Sequence, residues 1–155
     1  MVPFEEIRDR EIKRAQANPF PKYNHIVLKI LEKDHTEMYV DLTPDSMNYM
    51  GTVHGGLYFT LADFCGATCA RTDGRLYVTS QAESHFLRTV NSGRITARSR
   101  IVHRGRLMCL VEVEVTDEEG NLLYKSSITM FCVGEDDPRA GIGAAEGNDG
   151  GREAE

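Results

Sequence analysis

Asp63 and the glycine pair Gly55-Gly56 are the residues whose types and spacing best suit acyl chemistry. They close the run Asn48-Tyr49-Met50-Gly51-Thr52-Val53-His54-Gly55-Gly56, which with Asp63 reads N-x2-G-x2-HGG-x6-D. Where a loop enters a helix, the first backbone N–H groups have no partner inside the helix and carry partial positive charge. Glycines at that point let a ligand oxygen reach those donors, so Gly55 and Gly56 form a candidate oxyanion hole. Such a donor stabilises developing negative charge by about 3 kcal/mol. Asp63 supplies a carboxylate able to act as nucleophile or as general base on water. His54 either takes part in the site or orients the loop by hydrogen bonding. Asn48 is a candidate site residue or a turn residue.

These residues need a helix with particular properties. From Gly55 to about Arg71, Leu57, Leu61, Phe64 and Thr68 recur at helical spacing among Ala62, Cys65, Gly66, Ala67, Cys69 and Ala70. Small side chains permit close backbone approach, so the pattern predicts a central, buried helix, in which an unpaired carboxylate is costly. Gly55 and Asp63 are then about 12 Å apart along one axis, at ~1.5 Å per residue. One chain therefore does not bring both to one carbonyl. Two antiparallel helices in a two-fold dimer do, and the expectation is a composite site, Gly55 of one subunit facing Asp63 of the other.

The rest of the chain predicts an α+β domain. Pro3 to about Ala17 has helical spacing, and Asn18-Pro19-Phe20-Pro21 stops it. Strands are expected over 25–31, 37–42, 76–90, 94–103, 107–116 and 122–133. Turn signals at Asn91-Ser92-Gly93, His103-Arg104-Gly105 and Glu118-Glu119-Gly120-Asn121 separate the later ones. Residues 1–21 read as an N-terminal helix and linker, 22–134 as the domain, and 135–155 as an acidic, Gly/Ala-rich tail expected to be disordered. An antiparallel sheet curled around one long helix is the hotdog arrangement.

Composition narrows the options. A formal net charge of −6 over 155 residues argues against a general nucleic-acid role. No apolar run suits a membrane span or a signal peptide, so a cytoplasmic protein is expected, with Cys65, Cys69, Cys109 and Cys132 reduced and buried. His25, His35, His54, His85 and His103 form neither HxH nor HExxH groupings, so neither a metal nor another cofactor is expected.

The segment from Met47 to Phe131 resembles the PaaI-type thioesterases of the hotdog superfamily, through Asn48 to Gly56, Leu61-Ala62-Asp63, Phe86-Leu87-Arg88 and Val102-His103-Arg104-Gly105-Arg106. The resemblance implies hydrolysis of an acyl- or aryl-coenzyme A thioester. Asp63 would be nucleophile or base and the Gly55 amide would polarise the carbonyl. Asn48 and His54 would hold water or thioester, and Thr79 would assist the carboxylate. It also implies a homotetramer built from two dimers. Gly56 is expected beside the substrate, and Arg88, Arg104 and Arg106 are candidates for the coenzyme A phosphates. Ser80 to His85, and Thr89-Val90 where proline is usual, depart from the family pattern and leave the acyl group open. The alternatives are an acyl-CoA-binding protein without turnover, and an acyl-thioester dehydratase. For the latter, His54 and Asp63 stand more than ~10 Å apart along one helix.

Overall fold

Two helices precede the sheet in the structure, a computed structural model that describes residues 2–136. α1 (Phe4–Ala17) carries Glu5 and Glu6 in its first turn and Arg14 in its last, the order the helix dipole favours. The proline-rich stop does end α1, but it also opens a second helix, α2 (Pro19–Tyr23). The reason is positional: at the first helical residue the missing N–H of proline costs no hydrogen bond. Of the expected tail, residues 137–155 lie outside the described part of the chain. Glu135 ends the last strand, and Asp136 bonds Arg10 and Arg14.

Six strands follow the expected order: β1 (Val27–Glu32), β2 (His35–Asp41), β3 (Arg75–Phe86), β4 (Arg94–Arg104), β5 (Met108–Thr116) and β6 (Leu122–Glu135). They form one antiparallel sheet in the order β1-β2-β4-β5-β6-β3, so β1 and β3 are its two edges. β3 stops short of the expected Val90. Beyond Phe86 the N–H groups of Leu87 and Arg88 both turn to the Leu123 carbonyl. The β4–β5 turn likewise falls after Arg104 rather than across it.

Between β2 and β3 comes α3 (Gly55–Ala70), which packs on one face of the sheet against β2 to β6. Leu61, Ala62, Cys65, Cys69 and Ala70 of α3 are buried with Val111, Val113, Ile128 and Met130 of the strands. Gly66 sets the depth of that contact. A Cβ there would stand 3.3 Å from Val113 Cγ2 and 3.4 Å from Ile128 Cδ1, so a side chain would push helix from sheet. This is the hotdog fold expected from the pattern: an α+β domain with one long helix held by a single antiparallel sheet. The cysteines are free thiols; three are buried and Cys132 is half-buried. Burial pushes the Cys65 thiol up to about 12 and Cys69 up to about 11, which makes them core residues rather than nucleophiles.

Two polar clusters pin the C-terminal end of α3. Glu11 on α1 is 1% exposed and is held by Arg14 and by Arg71 Nε at 2.7 Å, which ties α1 to the segment after α3. The second cluster centres on Arg104, described below.

Candidate active site

The loop before α3 is built around Asn48. Its Oδ1 accepts from the Met50 and Thr52 N–H groups at 2.9 and 3.2 Å, and its Nδ2 donates to Thr52 Oγ1 at 3.0 Å. Both polar atoms of the Asn48 side chain are thus engaged inside its own loop, and the second Nδ2 hydrogen has no acceptor among the described residues. Asn48 is the turn residue that shapes the approach to the helix.

His54 caps α3. Its backbone N–H bonds the Ser46 carbonyl, and its Nδ1 accepts from the Gly56 N–H at 2.9 Å. A Cβ on Gly56 would lie 2.9 Å from that same Nδ1, so glycine at 56 is what lets the imidazole sit as a cap. His54 therefore orients the helix tip and takes the Gly56 donor. The Gly55 N–H finds no acceptor among the described residues. It is the open donor at the positive end of a 16-residue helix.

Beside Gly55 stands an aromatic wall that the spacing of the sequence did not reveal. Phe86 lies 3.3 Å from where a Gly55 Cβ would be, and packs edge-on against Tyr124 with centroids 5.0 Å apart. Tyr124 stacks on Tyr58 at 5.8 Å and shares a 2.6 Å hydrogen bond with Ser84. Tyr58 donates to the Arg88 carbonyl, and burial pushes its phenol up to about 12, so it stays neutral. Phe86 was visible only as part of a family motif, because its contacts lie 31 or more positions away.

Asp63 is half-buried on the side of α3 that faces β3. Thr79 Oγ1 donates to its Oδ1 at 2.7 Å. Thr79 sits opposite Met130 on β6, just before the register of the β3–β6 pair slips between Thr79 and Gln81. Bulges of this kind re-aim side chains and gather near functional sites. Asp63 Oδ2 has no hydrogen-bond partner, and Asp63 no ion pair, among the described residues. Asp63 lines neither the cleft of about 370 Å³ beside α1 nor the one of about 670 Å³ beside α2. Gly55 and Asp63 occupy one unbroken helix, so a single chain does not bring them together.

The three arginines separate. Arg88 is exposed just beyond β3, at the end of α3 that holds Gly55, and Arg106 is exposed at the β4–β5 turn. Arg104 is not free for a phosphate. Its side chain is 18% exposed and bonds Asp34 at 2.6 Å, Asp73 and the Ala70 carbonyl at 2.7 and 2.8 Å, and the Tyr77 hydroxyl at 3.2 Å. Those partners, up to 70 positions away, could not be read from the local sequence. Among the described residues no group of three His, Cys, Asp or Glu side chains is placed to hold a metal, and no helix is long and apolar enough to cross a membrane.

The fold and the position of the site define a hotdog protein, and comparison with known proteins narrows this further. Residues 50–124 match the family model of the thioesterase superfamily. The PaaI protein of E. coli, from the phenylacetic acid degradation operon, superposes with a TM-score of 0.81 at 18% identity, over 86% of this chain and 98% of that one; it shows the fold. A hypothetical thioesterase of Streptococcus pneumoniae, solved with coenzyme A, superposes with a TM-score of 0.70 at 28% identity, over 72% and 91% of the two chains. That protein has also been solved with alanine in place of an aspartate, and in place of a threonine sixteen positions further on. PaaI of Thermus thermophilus superposes at 0.70 with 27% identity, over 74% and 98%. Over residues 50–124 the chain is similar to the thioesterase superfamily, and its fold is that of the PaaI-type hotdog proteins.

Proposed function

We propose that this chain hydrolyses an acyl- or aryl-coenzyme A thioester to the free acid and coenzyme A. The observation that carries this reading is Asp63: a half-buried carboxylate with one hydroxyl partner and no cation, on the same helix as an open glycine amide. Water or Asp63 Oδ2 attacks the thioester carbon. The carbonyl oxygen gains negative charge against the Gly55 N–H, the C–S bond breaks and the thiol leaves. Asp63 acts either as base on the water, passing that proton to the departing thiolate, or as the nucleophile itself, forming an acyl–aspartyl anhydride that water then hydrolyses to the free acid. Thr79 positions the carboxylate by fixing Oδ1. The sixteen-residue spacing from Asp63 to Thr79 equals that of the aspartate and threonine replaced in the S. pneumoniae relative.

The site is completed by a second copy of the chain. The partner's Gly55 supplies the amide to Asp63, and the reciprocal pair makes the second site of the dimer. Two features support this. Gly55, Phe59 and Asp63, at i, i+4 and i+8, form an uncovered stripe on a helix whose opposite face is buried through Leu57, Leu61 and Cys65, with Phe59 40% exposed. β3, the nearest strand to Asp63, is a free sheet edge of 12 residues, which presents unpaired backbone groups. Arg88 and Arg106 are offered as phosphate contacts, the dimers pair into a tetramer, and the cytoplasm is the proposed location.

Thiol release from a panel of acyl-CoA substrates tests the reaction. Asp63→Asn is expected to lower kcat by about 10²–10⁴-fold, the range of a positioned acid or base. Full activity in that variant rejects Asp63 as the reacting group. Stoichiometric acyl-CoA binding without thiol release by the wild type makes the chain a binding protein instead.

A further inference from the structure

Beside the tip of α3 lies a cleft of about 670 Å³ whose walls come from α2, the segment after it, and the α3 tip itself. Gly56, His54 and Thr60 form one side, so the cleft abuts the first turn of α3, one residue from Gly55. On the other side stand Phe20, Lys22 and Tyr23. The fold makes little use of them: Phe20 is 63% and Tyr23 82% exposed, and Lys22 has no carboxylate partner among the described residues. Asp45 is exposed on the same cleft.

We infer that this cleft is the subsite for the nucleotide end of the thioester substrate, with Lys22 and Tyr23 as its specificity-determining residues. The inference rests on the acyl-CoA reading above. The chemistry is that of an adenosine phosphate rather than of a bare anion. Exposed aromatic faces offer stacking to a purine. An ammonium on a flexible stem meets a phosphate as a point charge. A carboxylate, which would repel a simple anion, accepts from the adenine amino group or a ribose hydroxyl. The cleft volume lies within the ~300–1,000 Å³ of small-molecule sites. The nucleotide is therefore bound by the subunit that gives the oxyanion amide, while the partner gives the carboxylate. α2 then acquires a purpose that packing alone does not give it: it carries these side chains to the rim of the helix tip. Lys22 stands at the same end of α3 as Arg88 and adds a second cation there.

The test compares acyl-CoA with the matching acyl-pantetheine, which lacks the nucleotide, on wild type, Lys22→Glu and Tyr23→Ala. The ratio of KM for acyl-CoA to KM for acyl-pantetheine is expected to rise about tenfold in each variant, the loss of one charged or stacking contact. Equal changes with both substrates, or no change with either, overturn the inference. Binding of adenosine 3′,5′-bisphosphate, followed by calorimetry, needs no turnover. Wild-type binding weakened about tenfold by Lys22→Glu supports the subsite even if no thioester is hydrolysed. Binding unaffected by both substitutions, or absent in the wild type, removes it while leaving thiol release to judge the reaction.

Discussion

Asp63 differs from the other shielded carboxylates of the chain in what holds it. Glu11 is gripped by two arginines, and Asp73 by Arg75, Arg104 and the Tyr77 hydroxyl. Those groups are neutralised by the fold. Asp63 has one neutral hydroxyl, on one oxygen. A single donor fixes the rotamer and leaves the second oxygen to the reactant. Thr79→Val removes that donor at similar volume and should lower kcat roughly ten- to hundredfold, the worth of a hydrogen bond to a charged group, with a smaller change in KM. Thr79→Ser keeps the hydroxyl and should recover most of the rate. A structural role alone predicts no such rescue of kcat, so steady-state kinetics of the two variants, alongside thermal melts, separates the roles. At this scale residue type and near spacing sufficed to single out Gly55 and Asp63 as candidates. The sequence was silent where a side chain's use depends on distant partners. For His54 and Asn48 the sequence left a site role and a loop-shaping role both open, and the structure adds the contacts by which Nδ1 and Oδ1 hold the helix tip and the loop.

The element that most needs support is the end of α3, since movement there would carry Asp63 with it. Arg104 joins four segments: the Asp34 hairpin turn between β1 and β2, the Ala70 carbonyl that ends α3, Asp73 beyond it, and Tyr77 of β3. Burial pushes Asp73 up, but hydrogen bonds from Tyr77 and Arg75 and the charge of Arg104 outweigh it and hold Asp73 below the usual carboxylate range. A carboxyl whose pKa is lowered by folding stabilises fully above its unfolded value of about 3.9. That contribution disappears as pH falls through the folded value. Urea denaturation of the wild type should thus show a loss of stability from about pH 4 downward. Asp73→Asn should be less stable by about 2–3 kcal/mol at pH 7 and show a shallower acid decline. An acid decline as steep as that of the wild type would assign the effect to other carboxylates. The strands were legible because their turns carry local signals: Gly93 and Gly120, read as turn residues, have φ of +88° and +84°. α2 was not, because Pro19 signals a stop and a start equally well. β3 ends at Phe86 because the Leu87 and Arg88 N–H groups both turn to the Leu123 carbonyl, which no local pattern announces.

Across the whole molecule, the sheet has two edges that are treated differently. β1 is partly covered by α1, whose Ile12 and Ala15 stand beside Ile26 and Leu28. β3, at the other edge, is the strand that positions Thr79, and it pairs on one side only. A long edge with open backbone groups is a liability in a monomer and a ready interface in a dimer. The uncovered stripe of α3 lies beside it, so one partner would cover both and bring its own Gly55 to Asp63. Charge placed on that stripe should oppose association without disturbing the core beneath. Phe59→Arg replaces a side chain already 40% exposed, and is expected to leave the circular dichroism spectrum unchanged while shifting the protein from dimer to monomer in sedimentation equilibrium. On the proposed shared site, thiol release should fall in step with the dimer fraction and return at protein concentrations that restore it. A Phe59→Arg protein that is monomeric and fully active would show that one chain suffices, and the shared site would have to be abandoned.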